Sequence, residues 1–243
     1  MRTGLPIRTF GLLFCLLRTL VFGEHGYYIE EEVTTPPLFG LPKQTHVTKT
    51  WLTNTQLRRD EGDKHQTLLI DTRKNEAWMI RHRDSTVIKL DMATFQGLAL
   101  MSMMMFGVTY DTLTGEPVIP DSIFYQTGRT GRIGIWNCRE VVVHRRHPDP
   151  ARQGSYPVVM WMTTDAISER SIYASLLKSM MGPLAHQYRA FFEQLERLGG
   201  YPAELHTKAM GMEITQKLKM IEARNIPPSV FTKPAGYKTG KDL

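Results

Sequence analysis

Cysteine is scarce: the chain has two, Cys15 and Cys138. Arg2 and Arg8 flank a mostly apolar run, Phe10 to Phe22, which ends at Gly23 ahead of Glu24. That is the pattern of a secretory leader cut near Gly23. A signal peptide of residues 1–23 takes Cys15 with it, so a single mature domain of residues 24–243 keeps one cysteine and no internal disulfide. Phe14 precedes Cys15 where a lipid-attachment signal wants a small side chain, so lipidation there is not expected. Long apolar runs are lacking too. Arg18 breaks the leader's run, which argues against a membrane span of the roughly 20 residues such a helix needs. Export through the inner membrane is therefore expected.

A strong charge of one sign is also missing. Residues 1–23 carry three arginines and no acid, so of 30 basic and 24 acidic residues the mature part keeps 27 and 24, a net of +3 rather than +6. This gives nucleic acid no footing. There is no Gly-x-Ser-x-Gly elbow and no phosphate-cradling Gly-x-x-x-x-Gly-Lys. Gly128, Gly131 and Gly134 fall within what reads as a hairpin, and are turn residues rather than a dinucleotide loop. His144 and His147 straddle Arg145-Arg146 without carboxylate or cysteine support, so they read as a solvated rim and not a metal site. With no nucleophile–base pair on offer, an enzyme is not expected, and no cofactor is implied. Cys138, beside Asn137 and Arg139, reads as a small buried hydrophobe.

What is present is a series of short strands. Gly26 to Glu30 starts the first, which dissolves at Thr34-Thr35-Pro36-Pro37. His46 to Leu52, Gln56 to Glu61, Thr67 to Asp71, Glu76 to Ile80 and Thr86 to Leu90 follow with close polar turns, and such a meander makes an antiparallel sheet. Ile123 to Gln126 and Ile133 to Arg145 read as strands joined by a turn at Thr127 to Gly131. Tyr156 to Thr163 alternates Val158, Met160 and Met162 against Val159 and Trp161. Beyond Gly199-Gly200, Glu204 to Ala209 and Glu213 to Glu222 read as a strand pair, with Ile214, Leu218 and Met220 on one face. The tail from Asn225 to Tyr237 is too proline-rich for a ladder; Phe231 and Tyr237 are its anchors on the sheet edge. No sequence repeat is visible.

Two helices stand out. Asp91 caps one that carries Met92, Phe95, Leu98 and Ala99 into the apolar run Leu100 to Phe106. Asp165 caps another with Ile172, Leu176 and Met180 in a row, broken at Gly182-Pro183. It continues with a stripe of Leu184, Tyr188, Phe191, Leu195 and Leu198, and Gly199 stops it. The chain has fourteen methionines, and they cluster at Met101, Met103, Met104 and Met105, at Met160 and Met162, at Met180 and Met181, and at Met210 and Met212. They fit an irregular core, an adaptable cavity for acyl chains, or a Cu(I) site, since thioethers re-pack easily and select soft ions. Trp51, Trp78, Trp136 and Trp161 are spread over four strands and read first as packing.

Three stretches carry a resemblance: Thr48 to Asp71, Ile133 to Cys138, and the ending Gly200-Tyr201-Pro202, Met210-Gly211-Met212, Ile226 to Phe231 and Pro234 to Tyr237. They resemble an uncharacterised family of secreted bacterial proteins similar to the periplasmic lipoprotein carriers, the LolA- and LppX-like half-barrels. The Met run after Asp91 and the helix up to Leu198 depart from it. The resemblance implies an α+β fold: a curved antiparallel half-barrel with helices covering its concave face. It also implies a lipid or lipoprotein acyl chain as partner, with transient contact at a membrane surface. On this view Met101, Met104, Met105, Phe106, Met180 and Met181 supply the helix side of a binding hollow, and Trp161 and Met162 the sheet side. A structural protein with a filled core is the alternative.

Overall fold

A computed structural model describes residues 23–36, 43–91, 97, 103–104, 106–143, 158–165, 172–209 and 212–240. The leader, most of the helix after Asp91, His144 and His147 lie outside them. Twelve strands form one sheet. In chain order they are β1 (Glu24–Thr35), β2 (Gln44–Leu52), β3 (Gln56–Glu61), β4 (Gln66–Asp71), β5 (Glu76–Arg81) and β6 (Thr86–Lys89), then, after a small hairpin of β7 (Thr109–Tyr110) and β8 (Pro117–Val118), β9 (Phe124–Ile133), β10 (Trp136–Val143), β11 (Val158–Thr163), β12 (Tyr201–Ala209), β13 (Met212–Ile226) and β14 (Lys238–Thr239). Their lateral order is β14-β6-β5-β4-β3-β2-β1-β13-β12-β11-β10-β9, so the sheet is open, with β14 and β9 at its ends. Every pairing is antiparallel except β14 on β6. Two α-helices, α1 (Ile172–Met181) and α2 (Arg189–Leu198), are joined by a 3₁₀ segment, Gly182–Tyr188. The architecture is α+β.

Strands β3 to β6 share a strict rhythm of six or fewer residues and a four-residue turn, starting at Gln56, Gln66, Glu76 and Thr86. The last residue of each turn is left-handed: His65, Asn75 and Ser85 have φ of 49°, 54° and 52°. A two-residue alternation then decides burial. On the face that carries the helices, Ile29, Leu52, Leu57, Ile70 and Ala77 join Val141, Met160, Met162, Leu205 and Leu218 in one core cluster. Phe191, Phe192, Leu195 and Leu198 of α2 complete it, at roughly 1.5–3 kcal/mol per fully buried large side chain. Gly199, at φ 65°, ends α2 and donates its N–H to the Glu196 carbonyl.

The opposite face has a smaller cluster, Leu69, Ile80 and Val87, packed by Trp78 and Tyr237. Here the tail is tied down. Arg58 donates to the Val230 carbonyl at 2.9 Å, Lys233 sits 3.6 Å over the Trp78 ring, and Tyr237 meets His82 Nδ1 at 3.1 Å. Tyr237 is thus an anchor as the sequence suggests, but ladder pairing does not stop at Asn225. Ile226 still pairs with Glu24, and Lys238-Thr239 returns as a parallel edge strand, because the prolines lie between these two segments.

Two expectations of phase need correction. The turn placed at Thr127 to Gly131 is strand, and the chain reverses at Gly134-Ile135; Gly128 (φ 79°) lies at a bulge opposite Glu140, which is why a glycine is needed there. In β13 an extra residue, Lys219, separates the partners of Glu30 and Glu31. Leu218 and Ile221 therefore both face the core, and Met220 is turned out at 40% exposure. Between β6 and β9, the short strands β7 and β8 pair antiparallel, Thr109 with Val118 and Tyr110 with Pro117.

Candidate functional site

The helix-bearing face is not uniformly apolar. Glu31 follows Ile29 by two residues, so alternation carries its carboxylate inward, and it is 1% exposed. It accepts a hydrogen bond from the Tyr201 hydroxyl at 2.6 Å and another from Gln216 Nε2. Arg59 Nη1 lies 3.4 Å from its other oxygen. A buried carboxylate is tolerable only with this kind of support, since removing one partner leaves an uncompensated charge. Tyr173 of α1 sits above, its ring edge-on to Tyr201 at 5.6 Å. Burial pushes the Tyr201 hydroxyl well above its ordinary 10, and the Glu31 charge and hydrogen bond push the same way. Burial raises Tyr173 too, with Glu31 second. Both phenols therefore hold their protons, and Tyr201 donates its own to Glu31.

Beside Glu31 and Arg59 stand Thr48 and Thr50, 1% and 0% exposed. Thr48 is opposite Glu31 in the β1–β2 ladder, and Thr50 is opposite Arg59 in the β2–β3 ladder. Neither hydroxyl has a hydrogen-bond partner among the described residues. This polar patch escapes sequence reasoning. Glu30-Glu31-Glu32 looks like a solvated run, and the partners of Glu31 lie 28, 170 and 185 residues away. The one available signal is the phase of Glu31 relative to Ile29.

The residues expected to line a hollow are dispersed. Phe106 and Met181 are buried, at 6% and 2%, and belong to the core cluster; Met180 packs against it, half-buried. Phe106 joins Phe124 and Phe191 with ring centroids 5.3–6.2 Å apart. Met104 is 52% exposed. Met101 and Met105 lie outside the described residues. Met162 is 2% exposed and faces the core with Met160, whereas Trp161, its neighbour in the strand, points to the opposite face, where Arg129 lies 5.8 Å over its ring. Trp161 and Met162 therefore cannot line one surface, as strand alternation requires.

At the β9–β11 end of the sheet an open cleft of about 530 Å³ runs past Cys138, Arg139, Met162 and Asp165. Asp165 accepts from the Asn137 backbone N–H at 2.8 Å and from its side chain at 2.9 Å. The Cys138 thiol is buried and raised above its usual range, by burial first and then by Asp165 and Glu204. It stays protonated near neutrality and packs as the small hydrophobe the sequence suggests. Among the described residues no group of three or more His, Cys, Asp or Glu side chains could hold a metal ion, and no helix is long and apolar enough to cross a membrane.

No known protein family matches the chain, and no curated protein does. Solved structures of similar shape are distant in sequence. An uncharacterized conserved protein from Thermus thermophilus is 7% identical with a TM-score of 0.47, over 96% of this chain and 99% of that one. PNGF-II is 12% identical with a TM-score of 0.39; the match takes 89% of this chain but only 31% of that one. A LolA superfamily protein from Nitrosomonas europaea is 11% identical with a TM-score of 0.35, covering 87% and 92% of the two chains.

Proposed function

We propose that this chain is an exported, non-enzymatic protein that binds a lipid or acyl chain between its helices and the helix-bearing face of the sheet, which curves around them as a half-barrel. The observation that carries this is where α1 touches the sheet. Its main strand contacts are with β3 and β12, which are separated by β2, β1 and β13. In a flat sheet those outer strands lie about 19 Å apart, and a ten-residue helix is about 15 Å long. A helix whose main contacts reach both outer strands fits the concave side of a bent sheet. A dip under a helix is where a chain-like ligand fits.

The cover also suits a reversible role. Met103 and Met181 are buried, Met180 is half-buried, and thioethers re-pack around variable shapes. The 3₁₀ segment between α1 and α2, with Gly182 at φ 55°, gives a point about which α1 lifts. A second reading, helices that complete a dry core, is favoured by the close aromatic cluster of Phe106, Phe124 and Phe191.

The test is direct. Purified protein is extracted into organic solvent and analysed for lipid, and the delipidated protein is titrated with a fluorescent fatty acid and competed with hexadecane. Lipid in the extract and saturable, displaceable probe binding are expected. An empty extract with no probe uptake overturns the proposal in favour of the dry core.

A further inference from the structure

The two threonine hydroxyls ask for an occupant. A buried hydroxyl without a partner is costly, and buried polar groups in folded proteins are nearly always satisfied. Here two of them stand two residues apart on β2, both turned toward the helix-bearing face and both next to the Glu31–Arg59 pair. Valine would fill the same space in the strand at no such penalty. We infer that Thr48 and Thr50 form the head-group subsite of the lipid site, and that they donate to the oxygens of a neutral acyl glyceride. This rests on the reading of the helix-bearing face as a lipid site.

The charge balance selects the head group. Glu31 is buried directly across from Thr48, and Arg59 already neutralises it at 3.4 Å. A carboxylate or phosphate head would be set against Glu31, and an ammonium head would compete with Arg59 for it. Tyr201 and Gln216 already give donors to Glu31. What remains free is two neutral donors, about 7 Å apart along the strand. They match ester carbonyls or hydroxyls, with the acyl chain running on past Thr50 toward the apolar stretch of the face, where Leu52, Leu57 and Ile70 lie.

The test uses the full mature chain, with Thr48→Val and Thr50→Val combined, and three probes of equal chain length: monopalmitoylglycerol, palmitate and hexadecane. Wild type is expected to prefer monopalmitoylglycerol over both others. The double variant is expected to lose roughly tenfold in affinity for it, as two modest hydrogen bonds would give, to bind hexadecane as before, and to have a raised Tm. A raised Tm with unchanged monopalmitoylglycerol affinity overturns the inference, because the hydroxyls would then serve only trapped water. A preference for palmitate overturns the neutral head group. Binding of hexadecane alone by wild type defeats the subsite but not the lipid site, and failure of all three probes defeats the lipid site itself. A Thr48→Ser and Thr50→Ser variant, which keeps both donors, checks the fold and should retain the glyceride preference.

Discussion

The two halves of the sheet are built differently. From β2 to β6 the ladders run without a register shift, each strand answering the next through a short turn. From β1 through β13 to β9, three ladders carry shifts: at Glu30/Glu31, at Trp161/Met162 and at Arg139/Val141. A bulge adds twist and bends its strand. The irregular half is therefore where the strands bend most, and it also holds Glu31, Tyr201 and Gln216.

The sharpest way to break that contrast is at Gly200, where the chain enters β12. Its φ is 72°, and a Cβ there would lie 2.0 Å from the Thr163 carbonyl oxygen, which is backbone and cannot swing away. Gly200→Ala is expected to cost on the order of 3 kcal/mol from the left-handed backbone and the clash together. For a chain of this size that lowers Tm by roughly 10 °C. A loss below about 1 kcal/mol in chemical denaturation would mean that β11 and β12 give way easily and that the irregular half is not the stiff element.

The contrast in legibility follows the same line. Strands β3 to β6 can be read from alternation and turn residues, nearly to the residue: Gln56 to Glu61 reads as a strand and is one. The stripe that runs from the end of the 3₁₀ segment into α2 is equally plain, since Tyr188, Phe191 and Leu195 are all fully buried. Bulges leave almost no trace in composition. One extra residue, Lys219, turns Met220 outward, and nothing around it differs from an ordinary strand. The site is the least legible part. Methionine draws attention because it is unusual, whereas Glu31, Thr48, Thr50 and Arg59 are ordinary residues made significant by pairings that only the fold brings together.

A mid-sized effect is expected from tyrosine. Residues 43–91, which hold the regular strands, contain none. The other half holds several whose hydroxyls are raised, Tyr28 to about 12 and Tyr173, Tyr188 and Tyr201 higher still, in each case by burial first. A folded pKa above the unfolded value near 10 gives stability that is fully present below pH 10. That stability drains away as pH rises toward the folded value. Tyrosinate absorbance of these residues should thus appear only together with loss of the fold. Tyr201→Phe should cost about 2 kcal/mol at pH 7, by leaving the Glu31 carboxylate short of a donor, and should make the alkaline decline shallower. Titration of all tyrosines with a common midpoint near pH 10 in folded protein would show that the Glu31 patch is open to solvent.

The smallest expected effect belongs to the regular half. His65 and Ser85 close their turns with φ near 50°, a conformation that costs a side-chain-bearing residue about 1 kcal/mol or more and glycine almost nothing. Asparagine tolerates it better, so Asn75 serves as an internal control. Glycine also loosens the unfolded chain, which takes back part of the gain. His65→Gly and Ser85→Gly should therefore each stabilise by about 0.5 kcal/mol, a rise in Tm of roughly 1–2 °C, and Asn75→Gly by less. The Ser85 carbonyl receives the Lys238 N–H at 2.9 Å through backbone atoms alone, so the docking of β14 survives the change. If Ser85→Gly instead lowers Tm while His65→Gly raises it, the edge turn is held by its serine side chain and the three turns are not equivalent.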